Sequence, residues 1–88
     1  MACFIVAYDL NKQGQNYSCL TGKLGAMPSC HAQGSVWLVE YAGTETQLRD
    51  ILMSCLDGND RLLISEASKS WAGQNMPTCG KWLNDRDY

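Results

Sequence analysis

Ala2-Cys3-Phe4-Ile5-Val6-Ala7-Tyr8-Asp9 is the stretch that decides the fold. Read at a period of two, Phe4, Val6 and Tyr8 fall on one side, and Cys3, Ile5 and Ala7 on the other. Both sides are apolar. A strand of this kind sits centrally in a sheet and needs cover on both faces. It stops at an acid, Asp9.

Outward from that strand, residues 10–15 read Leu-Asn-Lys-Gln-Gly-Gln, a polar loop. A helix is expected over 16–26, with Asn16 as N-cap and Tyr17, Leu20 and Leu24 on its apolar side. Gly22 in its interior costs about 1 kcal/mol relative to alanine, so this helix depends on packing. Gly25 and Pro28 mark its end. Residues 29–33 make a poor strand followed by a turn at Gln33-Gly34. Residues 35–42, Ser-Val-Trp-Leu-Val-Glu-Tyr-Ala, make a strong one, again apolar on both sides. Thr44-Glu45-Thr46-Gln47 is a capping box, in which the Thr44 hydroxyl meets the third amide and Gln47 reaches back. Leu48, Ile51, Leu52, Cys55 and Leu56 then repeat at helical spacing. Gly58 follows as the terminator, and residues 61–67 form a last strand. From about Ser68 to Tyr88 the chain reads as an irregular tail, with one short helical turn at Gly80–Asn84.

The order β-α-β-β-α-β is that of an α+β, ferredoxin-like domain. It predicts a four-stranded antiparallel sheet with two helices on one face. Two helices cover one face only, while the first and third strands are apolar on both. The second face is therefore closed either by the Trp-bearing tail or by a second subunit. The favoured expectation is a homodimer that buries sheet against sheet, with Trp37, Val39 and Tyr41 at the contact.

Length and composition narrow the classes. With 88 residues there is one domain, residues 1–88, and no room for separate cofactor and catalytic units. Hydrophobic residues at 45% against 18% charged residues exclude a disordered chain. The net charge is −2, and the seven basic residues are scattered, which weakens a dedicated nucleic-acid role. No run approaches the roughly 18 apolar residues of a membrane span. The start lacks a basic leader region, so a cytoplasmic protein is expected. Five cysteines, with no C-x-x-C pair, read as buried thiols in a reducing compartment. Cys30-His31 would be half of a metal site and lacks two further ligands.

The chemistry-bearing candidates are few. In this topology Asp9 ends the first strand beside the start of the last one, near Asp57, Asn59 and Asp60. Carboxylates with amide oxygens suit Mg²⁺, and such a metal could activate water against a phosphodiester. Asp9 is the candidate catalytic residue, and Asp9, Asp57 and Asp60 are the candidate metal ligands. Asp57-Gly58-Asn59-Asp60 is equally ordinary turn chemistry. Lys12, Lys23 and Arg61 are the basic groups that could contact nucleic acid. Tyr8, Tyr17, Trp37, Tyr41, Trp71 and Trp82 could stack bases, although their spacing also suits a core or a dimer contact. There is no phosphate-binding glycine loop and no nucleophile elbow. His31 has no flagged nucleophile for a triad.

The strand ending in Tyr8-Asp9, the element order and the length make the chain similar to the small CRISPR adaptation protein, the dimeric partner of the integrase, and to its virulence-associated and antitoxin relatives. A closer resemblance is to short bacterial and phage proteins carrying a SinR-family label. It rests on Tyr8-Asp9-Leu10-Asn11-Lys12, on Val36-Trp37-Leu38-Val39, on the turn from Leu56 to Leu63 and on Trp71-Ala72-Gly73. It covers residues 3–73; the tail from Gln74 has no counterpart. The adaptation family implies a ferredoxin-like homodimer. Some members are metal-dependent endonucleases using an aspartate at the position of Asp9, and others hold DNA without cutting it. This chain departs from that pattern in being acidic and in lacking the arginines that commonly follow the aspartate. The expected function is a non-catalytic homodimeric module acting through a protein partner. The alternatives are a Mg²⁺-dependent endonuclease on DNA or RNA using Asp9, and a nucleic-acid-holding scaffold.

Overall fold

The computed structural model describes residues 2–10 and 17–86. The expected cap Asn16 and the basic Lys12 lie outside the described residues. The elements are β1 (Ala2–Asp9), α1 (Tyr17–Gly25), β2 (Ser29–Gln33), β3 (Val36–Tyr41), α2 (Glu45–Met53), β4 (Arg61–Glu66) and α3 (Pro77–Asn84). The sheet runs β2-β3-β1-β4, and every neighbouring pair is antiparallel. This is the expected α+β, ferredoxin-like arrangement with one helix more than the sequence announces.

Register fixes which residues share a face. Phe4 lies opposite Val39 and Val6 opposite Trp37 on β3, while Val6 pairs with Ile64 and Tyr8 with Leu62 on β4. That face meets α1 and α2. Phe4, Val6, Tyr8, Leu20, Leu24, Val39, Leu48 and Leu52 form the main core, each large side chain contributing about 1.5–3 kcal/mol by leaving water. Trp37 Nε1 donates to the Tyr8 hydroxyl at 3.2 Å, which satisfies both polar ends. The helix after Thr44 closes as its sequence indicates. The Gln47 amide donates to Thr44 Oγ1 at 3.2 Å, and the Thr44 amide donates to Gln47 Oε1 at 2.9 Å. Of the expected apolar stripe, Leu48, Leu52 and Cys55 are buried, whereas Ile51 is exposed. Thr44→Ala is expected to cost about 1 kcal/mol, read as a lower urea midpoint at unchanged slope.

Two expectations are corrected. First, the tail is irregular over residues 67–76, but the single helical turn expected at Gly80–Asn84 is the end of an eight-residue helix, α3. Pro77 opens α3 at a position where its missing N–H costs nothing. Gly80 sits inside this helix because the Trp71 ring occupies the space a side chain would need; a Cβ there would lie 3.1 Å from Trp71 Cη2. Second, the cysteines are not all thiols. Cys19 bonds Cys55, joining α1 to the end of the α2 segment, and Cys30 bonds Cys79, joining β2 to α3. The fold brings each pair to a Cα separation of 5.6 or 5.7 Å, within disulfide reach. Cys3 alone is free, and it is buried.

Candidate functional site

The second sheet face is built from the residues alternating with the core set. In register, its rows are Asp9 with Arg61, then Val36, Ala7 and Leu63, then Leu38, Ile5 and Ser65, then Glu40 and Cys3. The tail covers the last rows. Cys79 and Leu83 of α3 pack with Cys3, Leu38 and Ala67, and Met76, Trp82, Cys30 and Ala32 complete this smaller cluster. The first rows remain open. Ile5 is 38% exposed and Leu63 67% exposed. Beside them, Ala7, Tyr8, Asp9, Arg61, Leu62 and Leu63 line a depression of about 260 Å³ where the end of β1 meets the start of β4. The described chain thus presents an apolar half-face bounded at one end by α3 and at the other by an opposite-charge pair across two strands.

Several sequence candidates are placed differently from expectation. Trp37, Val39 and Tyr41 do not face this open surface. Their odd positions on β3 pair with Val6, Phe4 and Ala2 and point under the helices, and Val39 has no exposed area at all. They therefore belong to the core and not to a sheet-on-sheet contact. The apolarity of both strand faces carried no sign of which one the helices would take. Tyr8 and Tyr17 are likewise ring partners at 6.1 Å on the helix side, and Phe4 meets Tyr41 edge-on at 6.5 Å. Trp71 packs on α3, and the Arg86 guanidinium lies 4.2 Å above the Trp82 ring. These aromatics form no row of free stacking faces.

Asp9 is on the open face directly opposite Arg61, at a spacing where unlike charges attract. Asp60 is turned another way. Its carboxylate accepts the Asp57 amide at 2.8 Å, and its own amide donates to the Asp57 carbonyl at 3.1 Å. This is the ordinary turn reading of Asp57 to Asp60. Mg²⁺ needs oxygen ligands converging on one point; among the described residues no group of three or more His, Cys, Asp or Glu does so. Within one chain, Asp9, Asp57 and Asp60 thus form no such group among the described residues. Of the basic candidates, Lys23 lies in the last turn of α1, near the start of β2, while Arg61 opens β4 beside the end of β1. The structure does not bring them together. His31 stacks on Trp37 with ring centroids 4.4 Å apart, and its Nε2 is 3.2 Å from the Gly34 carbonyl. It is a structural group of the β2–β3 hairpin.

Among the described residues, no helix is long and apolar enough to cross a membrane. No family model matches the chain, and no solved structure matches it.

Proposed function

We propose that this chain is a non-catalytic homodimeric module, of the CRISPR-adaptation and antitoxin-like ferredoxin-fold kind, that acts in the cytoplasm through a protein partner. The observation that carries this reading is the open half of the second sheet face. A side chain as exposed as Leu63, next to Ile5 and a row of opposite charges, is a surface suited to association. It is also self-complementary. A two-fold axis running between β1 and β4 would set Asp9 of one copy against Arg61 of the other, and Ala7 against Leu63. The net charge of −2 offers little repulsion to such pairing.

Sedimentation velocity tests it. The wild-type chain is expected to sediment at twice the chain mass at concentrations on the order of 10 μM. Leu63→Glu is expected to sediment as a monomer with an unchanged far-ultraviolet spectrum, because the substitution buries a charge only in the dimer. A wild-type monomer throughout that range would overturn the dimer.

A parallel assay addresses catalysis. DNA and RNA incubated with the protein and Mg²⁺ or Mn²⁺ are expected to stay intact, and cleavage abolished by Asp9→Ala would establish the endonuclease instead. Binding of intact nucleic acid that weakens steeply with salt would favour the scaffold.

A further inference from the structure

The two disulfides divide the molecule. Cys19–Cys55 lies in the helix layer, on the main core side of the sheet. Cys30–Cys79 lies on the opposite side, where it is the covalent tie between the edge strand β2 and α3, across 49 positions of sequence. The other attachments of α3 to the sheet are side-chain contacts, chiefly Cys79 and Leu83 on Cys3, Leu38 and Ala67. The Ala67 amide ties the start of the segment to the Cys3 carbonyl of β1 at 2.8 Å, and several hydrogen bonds further along close within the segment. The Gly80 amide donates to the Met76 carbonyl, Trp71 Nε1 donates to Asn84 Oδ1, Lys81 pairs with Asp85, and Lys69 Nζ donates to the Arg86 carbonyl. A helix of eight residues with a glycine in its interior does not persist alone.

We infer that Cys30–Cys79 is a redox latch, whose reduction releases α3 from the sheet and uncovers the Cys3–Leu38–Ala67 surface beside the open patch of Ile5 and Leu63. In the step, the sulfur–sulfur bond breaks and two thiols form. The two electrons and two protons come from a dithiol, which closes to its own disulfide. The main core lies on the other face, where Cys19–Cys55 is a separate bond between α1 and the chain beyond α2. This inference goes beyond the dimer, and it stands or falls without it.

Cys3 is the built-in reporter. It is free and fully buried beneath α3. Burial pushes its thiol up, with the cross-strand Glu40 adding to the effect, so in the latched state it is both covered and protonated. The experiment compares alkylation of Cys3 by iodoacetamide, read by peptide mass spectrometry, in the oxidised wild type and in Cys30→Ser/Cys79→Ser. A titration of the wild type with dithiothreitol accompanies it, and amide hydrogen exchange is followed throughout. Cys3 is expected to label at least about tenfold faster in the variant, with β1 and β3 amides still protected, as for a local opening. In the titration, Cys3 labelling is expected to rise together with free Cys30 and Cys79. Cys3 as slow in the variant as in the wild type would overturn the latch, because α3 would then stay docked without the bond. Fast labelling with loss of β1 and β3 protection would also overturn it, as general unfolding. So would labelling that rises only as Cys19 and Cys55 appear.

Discussion

Phe4→Ala is expected to lower the unfolding free energy by about 3–5 kcal/mol. Phe4 is 1% exposed and sits on the central strand β1, opposite Val39 on one neighbour and Glu66 on the other. Its ring meets Tyr41 edge-on and lies under the helices that supply Leu20, Leu24, Leu48 and Leu52. The sheet below and the cross-linked helices above resist collapse into the space left behind, so the cavity remains and its cost adds to the lost transfer energy. Domains of this size hold about 5–15 kcal/mol in total, so the variant would lose a large share of its stability. Urea unfolding followed by circular dichroism measures it. A loss under about 1 kcal/mol would mean that Phe4 is not under the helix layer.

The second large effect is expected within that helix layer. Replacing both Cys19 and Cys55 with alanine should cost about 2–5 kcal/mol, the usual range for a native disulfide in a small domain. The bond closes a sequence separation of 36 and joins α1 to the chain just beyond α2. α1 needs it more than α2 does. Gly22 lies in the α1 interior, and α2 carries the capping box. With about 4–8 °C per kcal/mol for a domain of this length, the variant should melt well below the oxidised wild type. The check is a melting curve of the variant beside the wild type, both without reductant. Equal midpoints would show that the pair is not bonded in the folded protein.

How much of this was legible beforehand depends on which physical signal each feature leaves in sequence. β1, β3, β4 and α2 announce themselves by period and by the Thr44–Gln47 cap, because those patterns are local. The need to cover a second face was also legible from the two apolar sides of β1. What covers it was not. α3 is short and contains Gly80, and it depends on Trp71, 9 positions from Gly80, and on Cys30, 49 positions from its partner Cys79. Its helicity is a tertiary effect, invisible to a periodic reading. The disulfides were hidden for the same reason: an odd count with no close pair does not give connectivity. Trp37, Val39 and Tyr41 went to the wrong face because a strand apolar on both sides carries no parity signal, and a one-residue choice exchanges the whole set. Asp9 was placed correctly beside the start of β4. Its neighbour there is Arg61, its register partner on β4, while Asp60 accepts the Asp57 amide in the turn before that strand.

On the proposed reading, the half of the second sheet face left open by α3 is the surface through which the chain associates. Amide chemical shifts of the ¹⁵N-labelled protein over a dilution series test it most directly. Concentration-dependent shifts are expected to gather on Ile5, Ala7, Val36, Leu63 and Ser65, with Asp9 and Arg61 at the margin, while Leu20, Leu48 and Leu52 stay fixed. Shifts that gather instead around α1 and α2, or spectra that do not change with concentration at all, would contradict it.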